Sequence, residues 1–363
     1  MTKRNLRHGY TTGACAAAAA KGAAKMLREQ RLVEEVELTL PLGETACFRL
    51  HGQEFTETFG SCYVVKDAGD DPDVTNGAEI HVAVRREPIR RFGAKNMVLV
   101  SGGKGVGRVS KPGLAVPVGE PAINPVPMRM ITGAVHEEFP VACQPQALYV
   151  TVSIPNGEEL AKKTLNERLG IIGGLSILGT TGVVRPISAK AWTDTIDTAI
   201  DVALACGNDT VVLSTGRTSE MAAQSCPDKG AALSEEAFVM MGDHVGHAIR
   251  ACARKGVQGI ILAGQFAKLL KIACGHEQTH VSSSELDLRE LAEWVALASH
   301  TSHLTPLARS ANTARQVLVE SGNDVGLMKL VCDRAGMFAR SLAPGVEIQV
   351  LLAGYDGSVL FFG

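Results

Sequence analysis

Three glycine-containing segments follow apolar runs in the second half of the chain, a pattern that can bind a nucleotide-like ligand. They are Gly173-Gly174 with Gly179-Thr180-Thr181-Gly182, then Ser214-Thr215-Gly216-Arg217, then Ala263-Gly264-Gln265. In open α/β sheets the ligand lies beyond the carboxyl ends of the strands, where glycines permit close approach of the backbone. The alternative is that each glycine only begins or ends a secondary-structure element. Three such turns favour binding, but they do not distinguish an adenine nucleotide, a dinucleotide and S-adenosylmethionine.

The segment His276-Glu277-Gln278-Thr279-His280 matches the HExxH pattern of zinc hydrolases. That pattern needs both histidines on one turn of a helix, with the glutamate as general base. Here Gly275 precedes the segment as a helix stop, and Ser284 follows it as the cap of the next helix. We therefore expect no metal site, and a zinc-dependent hydrolase remains the alternative enzyme class.

Two loops carry clustered charges. One contains Asp67, Asp70, Asp71 and Asp73, and a glycine-rich stretch contains Lys104, Arg108 and Lys111. Crowded carboxylates bind hard cations or raise one another's pKa values, but Asp also simply forms turns. The basic stretch predicts either carboxylate binding or a solvated loop. Pro112 excludes a dinucleotide fingerprint there, because no helix can follow the glycines.

The elements that position these residues indicate two domains, as the length of 363 residues also suggests. The pattern of apolar residues in residues 1–165 predicts an α+β domain, in which Thr12 caps a helix that runs to about Gln30. Residues 166–363 predict a Rossmann-like α/β domain with a mostly parallel sheet. Its predicted strands are Leu169–Ile172, Thr210–Ser214, Gly259–Ala263 and Val346–Ala353, and its predicted helices include Ser188–Cys206 and Ser234–Lys255. Five prolines between Lys111 and Pro127 predict an extended loop.

Composition excludes several classes of protein. The 36 basic and 38 acidic residues are scattered and give a net charge of −2, which argues against nucleic-acid and membrane partners. Nine cysteines without a CxxC pair predict free thiols in a reducing compartment. With no apolar run long enough to span a bilayer and a poor match to a signal peptide, we expect a cytoplasmic protein.

Several strings of residues resemble the CbiD family over nearly the whole chain. They are Leu6-Arg7-His8-Gly9-Tyr10-Thr11-Thr12-Gly13-Ala14-Cys15, Asp67 to Thr75, Gly102 to Pro127, Val152 to Gly157 and Ile172 to Gly182. The sequence departs from the family pattern near Ala267 and at His276-Glu277-Gln278. The second departure supports the interpretation that the HExxH match is accidental.

This resemblance implies methylation of cobalt-precorrin-5B at C-1 to give cobalt-precorrin-6A, a step of anaerobic cobalamin (vitamin B12) biosynthesis. It implies S-adenosylmethionine as the methyl donor and a tetrapyrrole substrate with acetate and propionate groups, with cobalt present only in the substrate. It also implies an α/β second domain. A non-catalytic carrier of tetrapyrrole or cobalt is the alternative binding class. The sequence is compatible with a homo-oligomer.

The site residues follow from these patterns. For the donor we expect Gly173, Gly174, Thr180, Thr181, Ser214, Gly216 and Gly264, with Glu220 for the ribose hydroxyls. For substrate carboxylates we expect Arg7, His8, Thr11 and Thr12 at the start of the first helix, together with Lys104, Arg108, Lys111 and Arg217. A helix start suits an anion because its backbone N–H groups are unpaired. Candidate catalytic bases are Asp67, Asp71 and His280.

Overall fold

The computed structural model of the protein describes residues 6–88, 97–140, 146–227 and 232–363. It forms two compact units, Met1–Ser188 (unit 1) and Ala189–Gly363 (unit 2). The boundary lies after Ser188 rather than after residue 165, because short strands at Ile171–Ile172 and Val183–Val184 pair with strands of unit 1. Both units mix helices and strands. No described helix is long and apolar enough to cross a membrane.

Unit 1 contains three helices and eleven strands among its described residues. In chain order they are β1 (Gly9–Tyr10), α1 (Thr12–Glu29), β2 (Glu35–Thr39), β3 (Thr45–Arg49), β4 (His51–Phe55), β5 (Phe59–Val65), β6 (Glu79–Pro88), β7 (Met97–Gly102), β8 (Arg108–Val109), α2 (Pro125–Glu138), β9 (Gln146–Ser153), α3 (Gly157–Ala161), β10 (Ile171–Ile172) and β11 (Val183–Val184). This arrangement agrees with the predicted mixture of helices and strands in the first part of the chain.

The main sheet of unit 1 has the order β4-β5-β6-β9-β7, antiparallel except for the parallel pair β7 and β9. Helices α1 and α2 pack in one apolar core with alternate residues of these strands. The alanine-rich sequence of α1 lets the helix lie very close to the sheet. A side chain at Gly60 of β5 would come within 2.4 Å of the Ala23 carbonyl oxygen, so this contact requires glycine.

Unit 2 contains eight helices and five strands among its described residues. They are α4 (Ala189–Ala205), β12 (Thr210–Ser214), α5 (Arg217–Gln224), β13 (Phe238–Met240), α6 (Val245–Lys255), β14 (Gly259–Gln265), α7 (Phe266–Ala273), α8 (Leu288–Leu297), α9 (Thr305–Ser310), α10 (Ala314–Glu320), α11 (Val325–Leu342), β15 (Glu347–Ala353) and β16 (Val359–Phe362). The strands form one sheet in the order β13-β12-β14-β15-β16.

The sheet of unit 2 is parallel from β13 to β15, and β16 is antiparallel. The predicted strands at Thr210, Gly259 and Val346 are confirmed. Asp356 and Gly357 lie in the turn between β15 and β16. Successive residues of β12 and β14 enter different apolar clusters, because side chains alternate between the faces of a sheet. Both faces of the sheet are therefore covered.

Three predicted elements were wrong. Ser234–Lys255 is not one helix, since it contains a 3-10 turn, the strand β13 and then α6. Leu169–Ile172 is not a strand of the parallel sheet, because Ile171 and Ile172 pair antiparallel with β8 of unit 1. Helix α2 begins inside the proline-rich segment at Pro125, which is tolerated because the first turn of a helix needs no N–H partner.

Candidate functional site

The carboxyl edge of the unit 2 sheet has a topological switch between β12 and β14. The chain passes from β12 to β13 on one side and then returns to β14 on the other side of β12. Ser214 ends β12 and Gly264 lies near the end of β14, and Thr215 N donates to Ala263 O at 3.0 Å. In parallel sheets this is the position at which ligands bind. The structure thus brings two of the three predicted glycine-containing segments together.

The helices after these two strands leave toward opposite faces of the sheet. Helix α5 packs its Ala222 and Ala223 with Val212 and Ile261, whereas α7 packs with the cluster of the other face. In open parallel sheets, ligands bind between the amino-terminal ends of two helices that diverge in this way. Unpaired backbone N–H groups at such ends favour negatively charged ligand groups.

Ser214 ends β12 at this edge of the sheet and has an unsatisfied hydroxyl. Its side chain is fully buried, and Oγ has no hydrogen-bond partner among the described residues. Its backbone oxygen accepts from Met241 N at 2.9 Å, which fixes the end of β12 against β13. A buried hydroxyl without a partner costs free energy unless something else completes its bonding. Ser214 is therefore suited to contact a ligand.

Gly216 and Gly264 differ in the space around them. A side chain at Gly216 would meet no atom within 4 Å, and its φ of 174° is extended backbone open to any residue. The protein's own packing does not require glycine there, so the space above Gly216 is free for a ligand. At Gly264 a side chain would lie 3.1 Å from Leu269 and 3.4 Å from Thr215, so Gly264 serves close packing of β14.

Arg217 and Glu220 occupy the first turn of α5. Arg217 is exposed, and no partner for its guanidinium is found among the described residues. Glu220 is only 6% exposed, so it lies within the packed part of α5.

Asp243 at the same sheet edge was missed by the sequence interpretation. It follows β13, and its Oδ1 accepts from Lys268 Nζ and, at 2.6 Å, from Thr279 Oγ1. Burial raises the pKa of Asp243, but the hydrogen bonds from Lys268 and Thr279 outweigh it, so the pKa lies below the ordinary value. An acidic residue directly after a strand was the available signal, but it was hidden because Ser234–Lys255 was interpreted as one helix.

The HExxH segment is not helical, as predicted. Glu277 forms a bidentate ion pair with Arg250, and the hydrogen bond from Arg250 lowers the pKa of Glu277. His280 is exposed, and its Nδ1 accepts from Ser282 N at 3.2 Å. Glu277 is thus engaged by a cation instead of facing a metal-bound water.

The first glycine-containing segment belongs to unit 1. Gly173 has a φ of 76°, which favours glycine, and a side chain at Gly174 would come within 2.3 Å of Gly105 O. Thr180 is exposed, and Thr181 Oγ1 donates to Val183 O at 3.1 Å. The prediction that this segment follows a strand of the parallel sheet was wrong, because Ile171 and Ile172 belong to a short antiparallel pair.

The amino-terminal string is held by internal contacts of unit 1. The two terminal nitrogens of Arg7 donate to Asp67 at 2.5 and 2.8 Å, and His8 is exposed. Thr11, not Thr12, caps α1, by accepting from Ala14 N at 3.2 Å. Thr12 Oγ1 instead accepts from Leu178 N at 2.9 Å. Both threonine hydroxyls therefore have partners within the protein.

The two acidic candidates of the Lys66–Gly77 loop also have structural partners. The hydrogen bond from Arg7 and that from Gly69 N hold the pKa of Asp67 below its usual range. Asp71 Oδ1 accepts from Ile187 N at 2.9 Å. The prediction that crowding would raise a carboxyl pKa is wrong for Asp67.

The basic stretch of unit 1 divides into engaged and free side chains. Arg108 donates to Gly119 O, and Lys111 Nζ lies 3.4 Å from Arg168 O while its stem covers Gly170. Lys104 is exposed, and its ammonium has no partner among the described residues. Of these three, Lys104 is the one available to an external anion.

Comparison with known proteins gives consistent matches. Residues 1–186 match the family model described as CbiD, and residues 278–362 match the model described as CbiD, C-terminal domain. A cobalt-precorrin-5B C(1)-methyltransferase from Geobacter sulfurreducens is 73% identical over 363 residues, covering 100% of both chains. One from Geobacter metallireducens is 71% identical over 370 residues, again covering 100% of both. A crystal structure of a cobalamin biosynthesis protein (cbiD) from Archaeoglobus fulgidus is 30% identical, with a TM-score of 0.39, and covers 75% of this chain and 81% of that chain.

Proposed function

The chain belongs to the CbiD family, and we propose that it carries out the reaction for which its relatives are named, methyl transfer to C-1 of cobalt-precorrin-5B. The match covers this chain and the Geobacter sulfurreducens relative in full, so both units are shared with that protein. The chain is a methyltransferase of cobalamin biosynthesis, and its product is cobalt-precorrin-6A. A soluble, cytoplasmic enzyme fits this role.

We propose S-adenosylmethionine as the methyl donor and the switch point of unit 2 as its site. The sheet of unit 2 then serves as a Rossmann-like donor-binding domain. The observation that carries this assignment is the switch in strand order between β12 and β14, with the unsatisfied Ser214 hydroxyl at the end of β12 and free space above Gly216. Gly264 packs β14 closely at this edge of the sheet. In folds of this kind an acidic residue further along the chain binds the ribose hydroxyls. Asp243 joins Glu220 as a candidate for that role.

S-adenosylmethionine supplies a methyl group on a positively charged sulfur. In the transfer, a C–C bond forms at C-1 of the substrate and the sulfur–methyl bond breaks, with its electron pair remaining on sulfur. Most of the required catalysis is positioning, because holding the two reactants in line replaces a bimolecular encounter. Ser214 and the backbone at Gly216 would fix the donor for this purpose.

For the substrate carboxylates we propose Lys104 and Arg217, the two predicted cations whose side chains are exposed without a partner among the described residues. Arg7, His8, Thr11, Thr12, Arg108 and Lys111 keep secondary roles, since most of them are engaged within unit 1. If a proton leaves the macrocycle, His280 is the better candidate base. Asp67 is bound to Arg7 and Asp71 to a backbone N–H. Gly173, Gly174, Thr180 and Thr181 are weaker donor candidates because the strand before them, Ile171–Ile172, is not part of the parallel sheet.

The test of the donor site uses Gly216→Val. Because the new side chain meets no protein atom, the fold should persist, while the donor loses its space. We expect calorimetry to show at least about a tenfold loss of affinity for S-adenosylhomocysteine, or about 1.4 kcal/mol. Methyl transfer from labelled S-adenosylmethionine to cobalt-precorrin-5B should fall in parallel.

The matched control is Gly133→Val in α2 of unit 1, where a side chain also meets nothing within 4 Å. This variant should bind donor as the unmodified protein does. Equal affinities of both variants would remove Gly216 from the donor site. Failure of the unmodified enzyme to bind donor at all would favour the carrier alternative over the methyltransferase.

A further inference from the structure

The main sheet of unit 1 has a second face, opposite α1 and α2, which we call the open face. On β5, Cys62 is buried beneath α1 and donates through Sγ to Ala19 O at 3.2 Å, while its neighbours Ser61 and Tyr63 alternate to the other side. These open-face residues are only partly buried. A core face and a polar face are normal in such a sheet, but the open face here carries an unusual pattern.

A row of small side chains crosses the middle of the open face. Ser61 lies opposite Ala83, Ala83 opposite Thr151, and Thr151 opposite Ser101. The hydroxyls of Ser101 and Thr151 lie 3.2 Å apart. Four strands thus contribute one low, mostly polar floor.

Rows of larger side chains border this floor on both sides. His51, Tyr63 and His81 form one border, and Phe59, Arg85, Tyr149 and Leu99 form the other. Within the first border the rings are stacked, with centroids 5.4 Å apart for His51 and Tyr63 and 4.4 Å apart for Tyr63 and His81. The second border leaves Tyr149 and Leu99 each 41% exposed.

The dimensions of the floor follow from strand geometry. Phe59 and Tyr63 are four residues apart on β5, so the Cα atoms of the two borders are separated by about 13–14 Å. Four neighbouring strands extend over about 14 Å in the other direction. Measured between the backbones of its border rows, the floor is therefore nearly square, and aromatic rings border it on both sides.

A cleft of 320 Å³ lies at this face, and Lys104 in its lining gives the cleft a positive charge. The lining includes Ser61, His81, Thr151 and Lys104, and none of the described lining residues is acidic. The backbone of Lys104 is held in place because Ile154 N donates to its carbonyl oxygen at 2.8 Å. Gly103 packs closely there, because any side chain would lie 2.3 Å from Ser153 Oγ. Glu79 lies outside the lining, where it pairs with His81 Nε2 at 2.9 Å.

We propose that the open face of unit 1 binds the macrocycle of the tetrapyrrole substrate, flat on the floor of Ser61, Ala83, Thr151 and Ser101. The choice of ligand rests on the proposed function. Tyr63 and His81 stack against the ring edge, and Lys104 pairs with a peripheral carboxylate. A flat ligand with carboxylates around its rim matches a square floor, aromatic borders and one free ammonium. A second copy of the chain would need no such charge in the cleft.

The direct test blocks the floor with Ala83→Trp and measures binding of uroporphyrin, a flat tetrapyrrole with acetate and propionate groups, by fluorescence anisotropy. Trp is well tolerated on a solvent-facing strand position. We expect the affinity to fall at least about tenfold, since a large ring then occupies the floor. Thr39→Trp, at an exposed position of β2, is the matched control and should bind uroporphyrin normally.

The charge is tested separately with Lys104→Gln, whose control is the exposed lysine variant Lys163→Gln. Lys104→Gln should weaken uroporphyrin binding about three- to tenfold at low salt. At high salt the variant and the unmodified protein should bind uroporphyrin equally. Equal uroporphyrin binding by Ala83→Trp and Thr39→Trp would overturn the proposal. So would a change of oligomeric state in Ala83→Trp with uroporphyrin binding intact, because the face would then join two copies of the chain.

Steady-state kinetics distinguish this proposal from the proposed function. Ala83→Trp should raise the KM for cobalt-precorrin-5B about tenfold or more and leave the affinity for S-adenosylhomocysteine unchanged. If the unmodified protein transfers methyl groups and Ala83→Trp does so with the same KM, the proposed function stands and the assignment of the open face as the substrate site is wrong. If the unmodified protein binds uroporphyrin at the open face but transfers no methyl group, the assignment of the open face stands and the proposed function is wrong.

Discussion

Replacing Asp73 with Ala should destabilise unit 1 by about 3–5 kcal/mol, because it leaves a buried ammonium group without its partner. Lys66 Nζ donates to Asp73 Oδ2 at 2.6 Å, and the Lys66 side chain is 1% exposed. Asp73 Oδ1 also accepts from Thr75 N and Thr75 Oγ1, each at 2.7 Å. The carboxylate therefore organises the loop that also contains Asp67.

The magnitude has an upper bound. A lysine can escape an unpaired burial by losing its proton, which costs about 5 kcal/mol at pH 7. Replacing Lys66 with Met in the same protein removes the buried charge altogether. The double variant Lys66→Met with Asp73→Ala should therefore be more stable than Asp73→Ala alone, by a large part of that penalty.

The assay must report on unit 1. Both tryptophans, Trp192 and Trp294, lie in unit 2, so their fluorescence follows the other unit. Hydrogen exchange of peptides from α1 and β5, measured by mass spectrometry, follows unit 1 directly. Unchanged exchange in Asp73→Ala would refute the argument. A double variant less stable than either single variant would also refute it.

The pH dependence has a defined sign. Burial raises the pKa of Asp73, but the hydrogen bonds from Lys66 and Thr75 outweigh it, so the folded pKa lies below the unfolded value of about 3.9. Its stabilising contribution is therefore complete above about pH 5 and is lost as the pH falls through the lower folded value. Asp73→Asn should remove this acid-dependent part of the exchange profile.

Two further predictions concern residues whose sequence context suggested chemistry. Glu277→Gln should leave methyl transfer within a few fold in steady-state kinetics, because Glu277 is paired with Arg250, whereas loss of a true general base costs about 10² to 10⁴ in rate. Gly174→Ala should lower the melting temperature of the protein. It should also reduce the free energy of unfolding of unit 1, measured by hydrogen exchange, by about 1–3 kcal/mol, since its Cβ would lie 2.3 Å from Gly105 O. A stable Gly174→Ala protein that has lost only donor binding would instead support a ligand role for that turn.

The sequence was sufficient for β12, β14 and β15 of unit 2, because each combines a buried apolar run with a glycine or a helix after it. It was not sufficient for β13, which has three residues and lies between a 3-10 turn and α6. Strands this short carry no periodicity, and only pairing with β12 defines them. Missing β13 also hid Asp243 at the sheet edge.

The grouping of site residues could be predicted only where it depends on consecutive elements. Ser214, Gly216 and Gly264 meet because β12 and β14 are neighbours in a parallel sheet. The floor of the open face could not be found in this way. Ser61, Ala83, Thr151 and Ser101 are small, ordinary residues far apart in sequence, and only the strand register brings them into one row.

The amino-terminal string that carries the family resemblance has a structural explanation. A cap alone would not require so many particular residues, but three segments meet here. A side chain at Gly9 would come within 2.1 Å of the Ala68 backbone, and one at Gly13 within 2.6 Å of Pro127. Arg7 binds Asp67 and Thr12 binds Leu178. Four positions of the string, Arg7, Gly9, Thr12 and Gly13, are therefore fixed by contacts within unit 1, so a string can identify a family without marking where its ligands bind.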